Sequence, residues 1–186
     1  MKNFHKMFQE GQRPTLQEVL EQRENRVYYI EKLAKRYPNA TIVSLKCNIP
    51  GPIKQNEYLQ LLFEKVFQKF CSLLEINKTE IVFLRKLEEN TGSECYIVIT
   101  DSPPTIKGLS IQLENEPLGR LIDADVHYLI NGVVESISRK DLGLPTRKCF
   151  VCENDAKTCA SRRIHSIEVL HTKIIELVND EGKEFL

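Results

Sequence analysis

Long apolar runs are missing from this sequence: stretches such as Tyr96 to Thr100 fall far short of the roughly 20 residues that a membrane span requires. The polar start from Met1 to Arg13 contains no apolar signal segment, so the cytoplasm is the expected compartment and no membrane is expected as a partner. Net charge is missing too. Lysine plus arginine and aspartate plus glutamate stand at 26 each, so no whole-molecule field gathers nucleic acid or anionic lipid, and any anion site must be local. An aromatic-rich RNA motif is also absent, which weighs against nucleic acid as a partner. Tryptophan does not occur, yet the 41% hydrophobic and 28% charged fractions match ordinary globular usage and exclude disorder and collagen. With no repeat, low-complexity tract or linker, a single domain spanning 1–186 is expected, long enough to bury about two-thirds of its unfolded surface.

Six cysteines are present. In a reducing compartment they are expected to stay free or bind metal. Cys47, Cys71 and Cys95 stand alone in apolar settings and read as core thiols.

The elements follow from periodicity and punctuation. Thr15 and Glu18 form a capping box ahead of a helix that runs to about Arg36. Thr41 to Leu45 reads as a strand that stops at Pro50-Gly51-Pro52. Leu59, Leu62, Phe63, Val66, Phe67 and Phe70 give the apolar face of a helix from about Glu57 to Leu74. Ile81 to Leu87 and Tyr96 to Thr100 read as strands joined by a polar loop from Glu88 to Ser93. Pro103-Pro104 opens a short helix through about Leu113, although Ser110 to Leu113 also suits a strand. Leu121 to Ile130 is the next strand, and Asn131-Gly132 before Val133-Val134 signals a hairpin. An irregular segment from Cys149 to Arg163 precedes a last helix marked by Ile167, Leu170, Ile174, Leu177 and Val178. The expected fold is α+β: a ferredoxin-like split β-α-β-β-α-β sheet, mainly antiparallel with helices on one face, an added hairpin strand, and flanking N- and C-terminal helices.

Chemistry concentrates late in the chain. Strand alternation places Ile122, Ala124 and Val126 inward and Asp123, Asp125 and His127 together outward, so two carboxylates converge. A magnesium ion shared with substrate phosphate oxygens offsets such repulsion, and Arg120 stands beside the pair to hold a phosphate. A solvated strand face is the plain alternative. From Arg139 to Arg163 seven lysines and arginines meet three acids, a local positive patch suited to polyphosphate or simply a solvated basic loop. Pro50-Gly51-Pro52-Ile53-Lys54 is a rigid turn whose amides and lysine can meet a phosphate, without being a Walker loop. Cys149-x2-Cys152-x6-Cys159 with His165 supplies four candidate ligands for tetrahedral zinc; reduced packing thiols and a redox cysteine are the alternatives.

Taken in order, these blocks resemble the holo-citrate lyase synthase family, also called apo-citrate lyase phosphoribosyl-dephospho-CoA transferase. The resemblance rests on Pro50-Gly51-Pro52-Ile53-Lys54, on Pro117-Leu118-Gly119-Arg120-Leu121 leading to Asp123-x-Asp125-Val126, on Ser138-Arg139-x-Asp141, and on Leu144-Pro145-x-Arg147-x-Cys149-x2-Cys152, with Cys159-Ala160 and His165. It covers about residues 42 to 170. Family members often carry an arginine directly after Cys-Ala, where this chain has Ser161 followed by Arg162 and Arg163.

The resemblance implies transfer of the 5''-phosphoribosyl-3'-dephospho-CoA group from its triphosphoribosyl-dephospho-CoA precursor to a serine of the citrate lyase acyl carrier (gamma) subunit, with release of diphosphate. Asp123 and Asp125 would be the catalytic, magnesium-binding pair. Lys54, Arg120, Arg139 and Arg147 would bind substrate phosphates. His127, on the aspartate face, is a candidate base or a solvated strand histidine. The competing class is a non-catalytic, zinc-stabilised module that docks a partner protein.

Overall fold

A capping box opens the first long helix: Thr15 accepts from the Glu18 amide while Glu18 Oε2 accepts from the Thr15 amide at 2.7 Å, and α1 then runs over Leu16–Arg36. The structure is a computed structural model, and it describes residues 4–181. Of the polar start, residues 1–3 lie outside the described residues. Strand β1 (Thr41–Cys47) is followed by α2 (Glu57–Ile76), capped by the Asn56 side chain. Then come β2 (Ile81–Glu89), β3 (Gly92–Ile99) and α3 (Pro103–Asn115), with Pro103-Pro104 in its first turn. A 3-10 turn at Leu118–Leu121 leads into β4 (Ile122–Ile130), and β5 (Val133–Ile137) returns from it. Short α4 (Ala156–Ser161) and α5 (Ile167–Asp180) complete the chain.

The five strands form one sheet in the order β2-β3-β1-β4-β5, every neighbour antiparallel. Several expectations hold in detail. Asn131 and Gly132 both take positive φ, +52° and +79°, as a tight hairpin turn needs. Pro103 to Leu113 is helix rather than strand.

Three differences stand out. The loop expected from Glu88 to Ser93 shrinks to a two-residue turn, because both strands extend into the polar positions where cross-strand pairing of Glu89 with Gly92 satisfies the backbone. The irregular segment contains α4, started by Asp155, whose carboxylate accepts from the Thr158 amide. Helices occupy both faces of the sheet, not one.

The main core lies on the first face, where α2 and α3 lay Leu62, Phe63, Val66, Phe70 and Ile106 against Val43, Leu45, Ile97, Ala124 and Val126. On the second face α1 packs Ile30, Leu33 and Ala34 on Ile42, Tyr96 and Val98, with Tyr29 edge-on to Tyr96 at 4.7 Å. The hydrophobic stripe of α1 is short, so it covers only part of that face. The remainder of the second face carries polar side chains.

Cys95 is buried, and Cys47 and Cys71 pack against the main core, so all three are core thiols. Burial pushes Cys47 and Cys95 up to about 12, which leaves them unreactive. Among the described residues no helix is long and apolar enough to cross a membrane.

Candidate active site

Register places the polar residues. β1 pairs with β4 so that Ser44 faces Asp125 and Lys46 faces Asp123, while across β3 Lys46 also faces Glu94. Side chains directly opposite on one strand face meet, and here they meet as ions. Lys46 Nζ lies 2.5 Å from Asp123 Oδ2, and Asp123 Oδ1 accepts from Asn48 Nδ2 and Arg147 Nη1, each at 3.0 Å. Burial works to raise the Asp123 carboxyl, but Lys46 and Arg147 outweigh it and hold it below the usual carboxylate value. One step along, Asp125 is exposed, and among the described residues no group pairs with it. From α1, the Arg26 guanidinium pairs with Glu94, and Tyr96 donates to the same carboxylate at 2.8 Å.

The aspartates and His127 thus share the second face, as alternation requires. His127 Nε2 lies 3.4 Å from Ser44 Oγ, and burial lowers its pKa against the opposing pull of Asp125, so the ring is neutral at pH 7.

Lys54 reaches the same end of the sheet by way of the Pro50-Gly51-Pro52 turn. Gly51 takes φ +93°, and a Cβ there would lie 2.8 Å from His171 Nε2, so only glycine fits beneath that ring. His171 holds the turn by its 3.0 Å contact with the Pro50 carbonyl and by stacking on Phe8 at 3.7 Å. The Lys54 amide donates to the Gln12 carbonyl and its ammonium to the Ile49 carbonyl, at 2.6 Å.

The three arginines separate. Arg147 Nη2 donates to the carbonyls of Gly119, Arg120 and Ile122, so this one side chain ties the 3-10 turn and the start of β4 to Asp123. Arg120 is partly exposed and, among the described residues, its side chain donates only to the Lys148 carbonyl, at 3.3 Å. Arg139 leaves the cluster: it pairs at 2.8 Å with Glu114 of α3, on the main-core side. There Glu114 accepts from the Ala124 amide and Lys107 donates to the Ala124 carbonyl, covering the edge of β4 beyond the end of β5.

Cys149, Cys152, Cys159 and His165 converge, with ligand atoms all within 4.8 Å of one another. Cys152 Sγ lies 3.5 Å from Cys159 Sγ and 3.3 Å from His165 Nε2. A tetrahedral zinc with bonds of about 2.3 Å to sulfur sets sulfurs about 3.8 Å apart, so the four groups can hold such a metal ion. A hydrogen bond from the Asn154 backbone draws the Cys152 thiol down to about 7, and burial pushes Cys159 up to about 12. The knuckle adjoins the carboxylate cluster. Its Ala156 amide donates to the Arg147 carbonyl at 2.9 Å, and Cys149 pairs with Asn154 at 2.8 Å.

Lys46, Asn48, Arg26 and Glu94 escaped sequence reasoning. Alternation alone would have put Lys46 on the face of Ser44, but nothing local says that β1 lies beside β4. A surface groove of about 350 Å³ between α2 and β2, lined by Gln60, Phe63, Lys86 and Ser93, carries none of the marked residues.

Comparison with known proteins agrees with this constellation. The family model for apo-citrate lyase phosphoribosyl-dephospho-CoA transferase (CitX) matches residues 14–181. A probable apo-citrate lyase phosphoribosyl-dephospho-CoA transferase from Streptococcus pyogenes is 37% identical over 170 residues, covering 91% of this chain and 88% of that protein. A protein of the same name from Vibrio cholerae is 35% identical, with 89% and 92% covered. The longer protein CitXG of Leuconostoc mesenteroides is 33% identical over 95% of this chain and 37% of its own length. With a family model over residues 14–181 and relatives at 35–37% identity that cover about nine-tenths of the chain, the chain belongs to the apo-citrate lyase phosphoribosyl-dephospho-CoA transferase family and is a transferase.

Proposed function

We propose that the chain transfers the 5''-phosphoribosyl-3'-dephospho-CoA group from 2'-(5''-triphosphoribosyl)-3'-dephospho-CoA to a serine of the citrate lyase acyl carrier (gamma) subunit, releasing diphosphate. The observation that carries this is the pair of carboxylates, Asp123 and Asp125, set among cations at the open end of the second sheet face. In the reaction the serine oxygen bonds to the innermost phosphorus of the triphosphate. The bond from that phosphorus to the bridging oxygen breaks, and its electron pair leaves on diphosphate. Such a transfer asks mainly for positioning and for charge neutralisation.

The residues divide the work. Arg120 and Lys54 present donors to phosphate oxygens, and Arg147 fixes Asp123 while adding positive charge behind it. Arg139 is held by Glu114 in the structure described, so its contribution to phosphate binding would follow release of that pair. His127 is neutral and shares the aspartate face, which makes it the candidate to take the serine proton. The carboxylates would hold a magnesium ion: among the described residues Asp125 has no ion pair, and Asp123 Oδ2 accepts only from Lys46 and keeps a lone pair. Magnesium bound there would neutralise charge on the triphosphate.

Zinc at Cys149, Cys152, Cys159 and His165 would order a segment that has few apolar residues. The strand order and wholly antiparallel sense support a ferredoxin-like split βαβ sheet with β5 added, and the continuous cores support a single domain. The absence of any membrane-spanning helix among the described residues fits a cytoplasmic enzyme.

Incubating the protein with the apo carrier subunit, the triphosphoribosyl precursor and magnesium should add the prosthetic group to the carrier, seen as a mass increase on its serine. No increase at saturating precursor overturns the proposal. The cysteine cluster favours one other reading, a zinc module that docks the carrier without reacting, and stable binding of the carrier with no mass increase would select it.

A further inference from the structure

The three sulfurs of the knuckle are not equivalent. Cys149 and Cys159 are buried, whereas Cys152 is only half-buried. The Cys149 sulfur accepts from the Val151 amide at 3.5 Å. Cys152 Sγ stands 3.5 Å from Cys159 Sγ, and that contact joins two separate pieces of chain, the turn after Cys149 and helix α4. An accessible thiol beside a resolving one is the arrangement that carries cysteine from sulfenic acid to disulfide, short of irreversible oxidation. In a chain expected to work among reduced thiols, such a disulfide is transient and regulatory.

Helix α4 is tied to the segment that carries Arg147. The Ala156 amide donates to the Arg147 carbonyl at 2.9 Å, the Cys149 amide donates to the Asn154 carbonyl at 2.8 Å, and Lys148 and Asp155 pair as a β-bridge. Beyond the helix, the Ile164 amide donates to the Cys159 carbonyl at 3.1 Å, one residue before His165. Arg147 in turn reaches Asp123 Oδ1 at 3.0 Å. Closing a disulfide draws the two sulfurs from 3.5 Å to about 2.05 Å, a shift of about 1.5 Å, and N–H···O bonds weaken outside roughly 2.7–3.2 Å. It also consumes two of the four groups that can hold a metal ion, so disulfide and metal exclude each other.

We propose that Cys152 and Cys159 form an oxidation site, at which a peroxide joins the two sulfurs, empties the knuckle of metal and loosens the hold of Arg147 on Asp123. One peroxide oxygen bonds to the Cys152 sulfur, the O–O bond breaks, and the other oxygen leaves as water, giving a sulfenic acid. The Cys159 sulfur then bonds to the Cys152 sulfur and displaces its hydroxyl as a second water. The sulfurs lose two electrons and the peroxide gains them; the thiol protons, or solvent protons where a metal held the sulfurs, end in water. A dithiol reverses the step. Loss of transfer under peroxide rests on the transferase reading, whereas the disulfide, the metal release and the change at Arg147 do not.

Hydrogen peroxide added to the full chain supplied with zinc tests the site. The intact mass should fall by about 2 Da, and digestion without reductant should yield peptides bridged between Cys152 and Cys159. About one zinc per chain should pass to a coloured chelator in step with the disulfide, and a dithiol with fresh zinc should reverse both changes. Oxidation should lower the melting temperature of the wild type, and the drop should be about 2–4 °C smaller in Arg147→Ala, where the tie to Asp123 is already missing. Transfer should fall about tenfold or more on oxidation and return with the dithiol and zinc. A bridge between a different pair of cysteines, Cys152 oxidised alone, or zinc retained through oxidation overturns the site. Equal drops in melting temperature in the two proteins overturn its link to Asp123. The two proposals fail separately: a carrier that is never modified sinks the transfer reading and leaves the disulfide, zinc and melting readouts to decide this one.

Discussion

Replacing Arg147 by alanine removes the side chain that joins Asp123 to the carbonyls of Gly119, Arg120 and Ile122. The bond to Asp123 is charge-assisted, and such bonds contribute about 1.5–3 kcal/mol when sheltered and about 1 when exposed. Side-chain exposures of 23% for Arg147 and 25% for Asp123 place this pair between those limits. Adding the orphaned carbonyls, which water can partly satisfy, brings the expected loss to about 2–3 kcal/mol. In a chain of this size each kcal/mol moves the melting temperature by roughly 2–4 °C, so a drop of about 5–10 °C is expected. Arg147→Lys should lie in between, because an ammonium keeps the charge and loses the fork.

The pH dependence supplies an independent check. Asp123 is depressed in the folded state, so its pairing adds stability above the ordinary carboxylate pKa, and that stability is lost as pH falls through the depressed folded value. Removing Arg147 leaves burial opposed by Lys46 and the Asn48 hydrogen bond without the second cation, and the folded pKa rises. Melting curves of the wild type and Arg147→Ala from pH 7 downward should therefore converge as Asp123 protonates. Equal melting temperatures at pH 7, or a gap that persists unchanged in acid, would refute the role given to this arginine.

Asp125→Asn should abolish transfer at saturating magnesium while melting within about 0.5 kcal/mol of wild type, since Asp125 is exposed and has no ion pair among the described residues. Asp123→Asn should also lose transfer but melt lower, because Lys46 and Arg147 lose their counter-ion; near-normal transfer by both variants would remove the carboxylates from the mechanism. Gly119→Ala should destabilise by about 3 kcal/mol or more, since its Cβ would lie 1.8 Å from the Leu113 carbonyl oxygen and backbone must move; wild-type thermal melts would contradict this. Elemental analysis should find about one zinc per chain, and Cys152→Ser or a strong chelator should lower the melting temperature. Metal-free protein that melts like the loaded form would return the cluster to packing thiols.

Local chemistry made much of this molecule legible in advance. The capping box at Thr15, the apolar stripe of α2, the prolines opening α3 and the Asn131-Gly132 turn each act within a few residues, so their outcome did not depend on the rest of the chain. The Cys149-x2-Cys152 knuckle and the alternation of Asp123, Asp125 and His127 are equally local, and both stand where spacing put them. Tertiary structure decided the partners. Only the β1 to β4 register brings Lys46 onto Asp123, and only the packing of α1 on the second face brings Arg26 to Glu94. Arg139 and Arg147, eight residues apart in one basic stretch, end on different sides of β4, because Glu114 of α3 draws one and the carbonyls before Asp123 draw the other. Ion pairing between distant segments leaves no periodic trace in sequence: it depends on strand order and on which face each helix covers, and those are set by burial of the whole apolar surface at once.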